Sequence, residues 1–417
     1  MSKKTKQQTL EELFRDPTQF KRMQDHLYSK RPLFERGGGF AEMLQAMVNA
    51  TLSGEAAAHV SDSRQRGASN KLNGYTDKTI ITQAGPIDIR TPRDRAGTFE
   101  PELVGKRQRE LTSGMDEQIL ALYAQGNSVE DVRRLLKQMF GITISAGKIS
   151  AITDQVLPLV QEWRRRPLEA FYAIIYMDAI HFKVRHEGRY DQRAFYTVYA
   201  IDAAGQRDLL GMYVDRSESA NQWGMVLRDL KQRGVEDVLV FCTDNLTGFS
   251  EAMNDVFPAT IVQKCLVHKV RNSLRFVDDS DRKKLISGLR AIYTSESRST
   301  AETAFAAFKV TWGDKYGGVV ASWERDWDEL MAFLDFPAGM RKMIYTTNPV
   351  EALHRIIRKL IKGKAAWVSD TALMKQIYLC LHHNEKSWKK NAYGWKTIMR
   401  DLVANYGDRV SKHVKAA

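Results

Sequence analysis

Three acidic residues stand where their neighbours make a carboxylate conspicuous. Asp178 interrupts the apolar run IIYMDAIHF, Asp244 ends VLVFCTD just before a turn that holds Gly248, and Glu351 opens the amphipathic segment NPVEALHRIIRKLI. Each has an ordinary explanation on its own: a strand Asp at a solvent-facing bend, a capping or turn Asp, a first-turn Glu that complements the helix dipole. Together they imply chemistry. Ionised carboxylates gathered in one place repel one another unless cations neutralise them, and hard oxygen donors suit Mg²⁺ or Mn²⁺ rather than zinc. Two such ions, roughly 4 Å apart, activate a water or a 3′-hydroxyl and stabilise the leaving oxygen of a phosphodiester. The nucleophile is then no side chain, so no covalent protein intermediate is expected.

The elements that must position these acids can be read from residue 171 onward. FYAIIYMDAIHFKV, RAFYTVYAID and DLLGMYVD are β-rich runs, separated by the turn-like HEGRYDQ and AAGQR. A helix (SANQWGMVLRDLKQRG), a buried-looking strand (VLVFCTD), a helix at 249–257, a strand (TIVQKC) and a helix from His268 follow. The order βββαβαβα predicts an α/β protein with a ribonuclease H-like mixed-sheet catalytic core. In such a sheet the first strand lies beside the fourth, so Asp178 and Asp244 converge, and the last helix can bring Glu351 to them. Residues 278–342 return to a polar helical pattern and predict an all-helical insertion in this core.

The N-terminal part reads as mainly helical DNA-binding domains. Leu10, Leu13 and Phe14 have helical spacing, a second apolar segment runs from Phe40 to Val60, and SDSRQRGASNKLNG reads as a linker or disordered strip. TIITQAGPIDIR suggests two short strands about Ala84-Gly85-Pro86, followed by an arm in which Arg90, Arg93, Arg95, Lys106, Arg107 and Arg109 crowd together. Helices with clear stops follow: Ser128 and Asp131 form a capping box, Gly126 and Gly141 are stops, and Ser145 caps AGKISAITDQV. This outlines a helix-turn-helix whose last helix offers Lys148, Ser150 or Thr153 to a major groove; a helical bundle without a ligand is the alternative. The expected organisation is 1–70 helical region, for dimerisation or DNA binding, 71–115 basic hairpin and arm, 116–165 helix-turn-helix-like domain, 166–277 first part of the core, 278–342 helical insertion, and 343–417 final core helix and C-terminal helices.

Composition agrees with a polyanionic partner. Sixty-three Lys and Arg against 50 Asp and Glu leave a formal charge of +13 over 417 residues. The length excludes a small disulfide scaffold, and three cysteines make neither a disulfide framework nor a four-thiolate zinc site. No apolar run approaches the ~20 residues that cross a bilayer, which leads to the expectation of a soluble, cytoplasmic protein with no membrane partner.

Five ordered blocks resemble the Mutator-type transposases, the bacterial insertion-sequence branch of the DDE recombinases: NGYTDKTIITQAGPIDIRTPRDRAGTFEPELV, YMDAIHFKVR, FCTDNLTGF, QKCLVHKVRN and FLDFPAGMRKMIYTTNPVEALHRIIRKLIKGK. The resemblance implies a metal-binding triad of Asp178, Asp244 and Glu351, a helical insertion before the Glu, double-stranded DNA with terminal inverted repeats and target DNA as partners, and a homodimer that holds two ends. Asn348 belongs to the T-T-N block of the Glu. Cys265-x-x-His268 is a family signature too. One Cys and one His supply only two of four zinc ligands, so His268 reads as a phosphate or water contact and Cys265 as core, with a purely structural role open for both. Two positions depart from the family's pattern: His354 stands where Asn is frequent, and Ala365-Ala366-Trp367 where a glycine with Ala-Phe is usual. Lys183, Arg185, Lys264, Lys269, Arg271, Arg355 and Arg358 are candidate phosphate contacts. Trp323 or Trp327 could stack on a displaced base, a core position being the alternative. A non-catalytic DNA-binding regulator and a structure-specific nuclease on the same core are the competing functions.

Overall fold

The computed structural model describes residues 17–30, 38–82, 85–108, 110–111, 115–140, 142–215, 220–244, 246, 248–345, 348–362 and 364–414, which fall into two compact units, 1–155 and 156–417. Leu10, Leu13 and Phe14 lie outside the described residues, as do Ala84, Arg109, Gly141, Thr346 and Thr347.

In the first unit, α1 (Pro17–Tyr28) precedes the long α2 (Gly39–Gln65), and β1 (Leu72–Thr82) pairs antiparallel with β2 (Gly85–Asp94). A two-residue β3 (Glu110–Leu111) adds to β1 in parallel. Val48, Leu52, Ile80, Ile87 and Ile89 form the core between α2 and the hairpin. The strip 61–74, read from sequence as a linker, is structured at both ends: α2 continues to Gln65 and β1 starts at Leu72. The physical reason is Asn70, a buried side chain that donates to Asp94 Oδ2 at 2.8 Å and accepts from the Lys71 and Ala96 backbone N–H groups. Three short helices follow, α3 (Met115–Ala124), α4 (Val129–Phe140) and α5 (Ala146–Asp154), sharing a core of Ile119, Val132, Leu136, Ile149 and Ile152. Their caps are those read from sequence. Ser128 and Asp131 cap reciprocally, each N–H meeting the other's side chain at 3.1 Å, and Ser145 accepts from the Lys148 N–H.

The second unit opens with α6 (Leu157–Arg165) and builds its sheet from β4 (Phe171–His186), β5 (Arg189–Asp202), β6 (Arg207–Asp215), β7 (Asp237–Thr243) and β8 (Ile261–Lys264), in the order β6-β5-β4-β7-β8. β4, β5 and β6 form an antiparallel meander, and β7 and β8 run parallel to β4. The turn-like HEGRYDQ is mostly strand. Only Glu187 and Gly188 leave the ladder, at φ +47° and +83°, a two-residue turn whose left-handed pair matches the strand twist and asks for glycine.

One sheet face is covered by α7 (Ala220–Gln232) and α8 (Phe249–Val256), through Trp223, Leu227, Leu230, Phe249 and Met253. After β8 come α9 (Leu266–Ser273) and a run of helices, α10 (Asp279–Tyr293), α11 (Arg298–Trp312), α12 (Gly317–Arg325), α13 (Trp327–Met331) and α14 (Ala338–Ile344). Next is α15 (Asn348–Ile361), then α16 (Asp370–His383), α17 (Glu385–Trp388), α18 (Trp395–Tyr406) and α19 (Asp408–Ser411). Ile174, Tyr176, Ile180, Phe182 and Val184 of β4 share one core with Leu285, Leu289, Trp323, Leu353, Ile357 and Leu373 of these helices. No helix among the described residues is long and apolar enough to cross a membrane.

The segment after Lys364 has a definite role in the sheet. Farther along the edge of β4 that pairs with β7 as far as Met177, the Trp367 N–H donates to the Lys183 carbonyl at 2.9 Å and its carbonyl accepts from the Arg185 N–H at 2.8 Å. The indole is buried edge-on against Phe182, with Nε1–H on Gln376 at 2.9 Å.

Candidate active site

The spacing of the two aspartates equals the register of their strands. Phe171 pairs with Asp237 and Met177 with Thr243, an offset of 66 (237 − 171), and Asp244 follows Asp178 by the same 66. Continuing the parallel ladder by one residue therefore sets Asp244 beside Asp178. Both continue rows that face the helical side: Tyr176 and Ile180 flank Asp178 in that row, and Val240 and Cys242 lead to Asp244. At the end of β7 the chain turns sharply, Leu246 N–H bonding the Asp244 carbonyl at 2.6 Å, and Gly248 at φ +74° supplies the left-handed residue from which α8 starts.

Glu351 lies in the first turn of α15, whose Val350, Leu353 and Ile357 are buried in the core shared with β4. Three residues on, His354 is fully buried against the sheet. Its Nε2 is 2.7 Å from Thr197 Oγ1 and its Nδ1 is 3.4 Å from Asp178 Oδ2. His268 of α9 stands between the other two acids, with Nδ1 3.4 Å from Asp244 Oδ1 and Nε2 4.0 Å from Glu351 Oε1. Backbone bonds fix the start of that helix: Cys265 N–H to the Thr243 carbonyl at 2.9 Å and Leu266 N–H to the Tyr345 carbonyl at 3.1 Å.

The electrostatics follow from these neighbours. Burial pushes the Asp178 carboxyl up to about 6; His268 and a 2.9 Å bond from the Ala179 N–H oppose this, while Asp244 and Glu351 add to it. The Cys265 side chain raises His268 to about 9, against burial and with help from Asp244 and Asp178, so at neutral pH it is an imidazolium facing acids. Burial, then Arg358 and His268, push His354 down to about 3, leaving it neutral. Among the described residues no three His, Cys, Asp or Glu side chains are gathered closely enough to hold a metal ion as they stand.

Other sequence-derived candidates divide by burial. Lys183, Arg185, Arg271, Arg355 and Arg358 are exposed. Cys265 is buried at the head of α9, and the Asn348 side chain lies outside the described residues. Lys269 is not a phosphate contact here. It is buried and held by Asp326, by the Ser322 carbonyl at 2.8 Å and by Ser322 Oγ at 2.6 Å. Lys264 pairs with Asp326 at 3.0 Å and Glu329 at 2.6 Å. Trp323 cannot offer a face to a base, being fully buried with its Nε1–H on Ser273 Oγ at 2.9 Å. Trp327 is half-buried and stacks on Phe305 at 4.7 Å.

In the first unit Arg93, Arg95 and Arg107 are exposed, Arg90 pairs with Asp77 and lies over the Tyr75 ring, and Lys106 pairs with Glu100. Lys148 is exposed on α5 and Ser150 half-buried. Thr153 is withdrawn from any groove: it is fully buried, its hydroxyl donating to the Ser150 carbonyl at 2.9 Å. Sequence reasoning missed Thr197 and Asp326. Thr197 was recoverable only from register, as the residue directly opposite Asp178 on β5; for Asp326 no local signal existed.

A family model described as "Transposase, Mutator family" matches residues 18–391. The chain belongs to that family. It is 38% identical over 379 residues to a probable transposase for insertion sequence element ISRM3-like of Sinorhizobium fredii, covering 90% of this chain and 94% of the relative. It is 37% identical, with the same coverage, to the transposase for insertion sequence element ISRM3 of Rhizobium meliloti. Among solved structures, the Drosophila P element transposase strand transfer complex aligns with 72% of this Mutator-family chain and 88% of its own, at 12% identity and a TM-score of 0.29, a superposition too loose to bear on the fold.

Proposed function

We propose that this chain is a metal-dependent DDE transposase that binds the terminal inverted repeats of its own insertion sequence, hydrolyses a phosphodiester at each end and joins the freed 3′-hydroxyl to target DNA. The observation that carries this reading is the common offset of 66 in strand register and in the Asp178–Asp244 spacing, with His268 lying between Asp244 and Glu351. The sheet order, an antiparallel meander followed by parallel crossovers, supports a ribonuclease H-like core. The helices between 278 and 342 then stand as an insertion before the Glu351 helix.

Asp178, Asp244 and Glu351 would hold Mg²⁺ or Mn²⁺, two ions together, and the donor set fits in kind: hard oxygens, one on a carboxyl whose burial makes ionisation costly without a nearby cation. When bound, the ions supply an activated water or 3′-hydroxyl and a stabilised leaving oxygen. The chain's own residues do the rest. Ala179 N–H orients one oxygen of Asp178. His268, cationic at neutral pH, relieves repulsion between Asp244 and Glu351 and can turn to a phosphate oxygen when DNA arrives. Lys183 and Arg185, on the strand that carries Asp178, and Arg271, Arg355 and Arg358 meet the phosphodiester backbone. Arg90, Arg93, Arg95, Lys106, Arg107, Lys148 and Ser150 of the first unit are assigned to the ends of the element. Holding two ends calls for a homodimer, and a DNA substrate calls for the bacterial nucleoid.

The test is cleavage of DNA carrying the element's ends, with Mg²⁺, by Asp178→Ala, Asp244→Ala and Glu351→Ala. Each should abolish nicking and strand transfer while leaving end binding largely intact. Full strand transfer by any one of them would refute the assignment.

A further inference from the structure

The buried imidazole of His354 has a bonding pattern that packing alone does not require. One nitrogen is satisfied by Thr197; the other, Nδ1, is buried, lacks a hydrogen-bond partner and faces Asp178 Oδ2 at 3.4 Å. Buried polar atoms are almost always paired, so one left open beside a carboxylate calls for an explanation. Its surroundings supply one. Thr197 is the residue directly opposite Asp178 in the β4–β5 ladder, so the two side chains project from the same face as near neighbours. Asp178 Oδ1 already accepts from the Ala179 N–H, leaving Oδ2 as the oxygen whose direction His354 can set. The same helix carries Glu351 three residues earlier, so holding His354 against the sheet also fixes the rotation of the helix that carries Glu351.

We propose that His354 is a positioning residue: Thr197 orients its ring, and Nδ1–H closes onto Asp178 Oδ2 to set that carboxylate, and the Glu351 helix with it, for cation binding. A carboxylate oxygen can only accept, so Nδ1 carries the proton and Nε2 accepts from the Thr197 hydroxyl. The closure needs a shift of a few tenths of an ångström, from 3.4 Å to ordinary hydrogen-bond distance. This inference rests on the reading of Asp178 as a metal ligand. Partners that orient a ligand from behind are worth roughly 10–100-fold in metal affinity.

The test uses full-length His354→Leu, His354→Asn and Thr197→Val, with Asp178→Ala as control. Mn²⁺ binding is titrated without DNA by the loss of its free-ion electron paramagnetic resonance signal, and the Mg²⁺ dependence of nicking and the affinity for end DNA are measured alongside. His354→Leu should bind end DNA normally and lose roughly 10–100-fold in Mn²⁺ affinity. The Mg²⁺ concentration for half-maximal nicking should rise in step. His354→Asn, whose amide N–H can reach the carboxylate, should recover part of the loss, and Thr197→Val should move affinity the same way by less. If His354→Leu does not fold, the other two variants decide. Unchanged Mn²⁺ affinity in the folded variants overturns the proposal, since a merely structural residue would alter stability alone. Should Asp178→Ala itself cut DNA, the underlying reading fails; should it be dead while the His354 and Thr197 variants bind Mn²⁺ normally, only this inference fails.

Discussion

Asp326→Ala should be among the most costly single changes to the stability of the second unit. The Asp326 side chain is 5% exposed and serves two lysines at once, Lys264 at 3.0 Å and Lys269, whose own side chain is 3% exposed. At an effective dielectric of about 20 the 3.0 Å pair attracts by about 332/(20 × 3.0), or ~5.5 kcal/mol, before the desolvation of both ions is subtracted. After substitution Lys264 keeps Glu329, but Lys269 keeps only the neutral oxygens of Ser322. An uncompensated buried ammonium costs about 3–5 kcal/mol, or on the order of 10 °C in the unfolding midpoint of a unit this size. Unfolding of the native chain and the variant, followed by circular dichroism at pH 7, measures this. Lys269→Met in the Asp326→Ala background should restore much of the loss by removing the stranded charge. A loss below about 1 kcal/mol for Asp326→Ala would refute the reasoning. The pH dependence has a definite sign. Burial alone would raise the Asp326 carboxyl, but bonds from Lys269 and then Lys264 hold it down to about 2 in the folded chain, below the ~3.9 of an unfolded Asp. Its stabilisation is therefore complete above about pH 4 and fades as pH falls through about 2. The native chain should show a steeper acid-unfolding limb there than Asp326→Ala. Because Lys264 ends β8 and Lys269 adjoins His268, the variant should also nick DNA more slowly.

Two further outcomes test the reassignment of residues that looked like DNA contacts. Trp323→Phe removes one buried hydrogen bond, to Ser273, and should cost about 1–2 kcal/mol, and Trp323→Ala about 3–5 kcal/mol. Both are measured by denaturant unfolding. The folded fraction should bind end DNA normally, and a binding defect in Trp323→Phe without a stability loss would restore a stacking role. Lys148→Ala, on the exposed side of α5, should weaken end binding and lower the slope of log K against log salt by about 0.9, one phosphate's worth, in fluorescence anisotropy across a KCl series, whereas Thr153→Ala should leave that slope unchanged.

What could be read from the residues alone follows the range of the forces involved. Strand periodicity is local and rigid, so Asp178 in an apolar alternation already had its face decided, and the chain order of strands placed Asp244 beside it. Capping is equally local: Ser128, Asp131 and Ser145 act where their spacing says. Lys269 and Trp323, two of the misjudged residues, depend on partners far along the chain. Lys269 and Trp323 differ little, on the page, from a phosphate-binding lysine and a base-stacking indole. What removes them from the surface is the packing of α12 and the Asp326 junction that follows it against α9, through Ser322, Asp326 and Ser273, 50 or more residues away. The strip at 61–74 failed for the same reason, since its polar composition hid Asn70 pairing with Asp94 across 24 residues. His354 lies between these cases. Helical spacing puts it on the side of α15 that carries Val350, Leu353 and Ile357, so its burial was legible. Its partner was not, because only the β4–β5 register brings Thr197 opposite Asp178 and so turns an oddly polar core position into a contact with the acid that the proposed chemistry depends on.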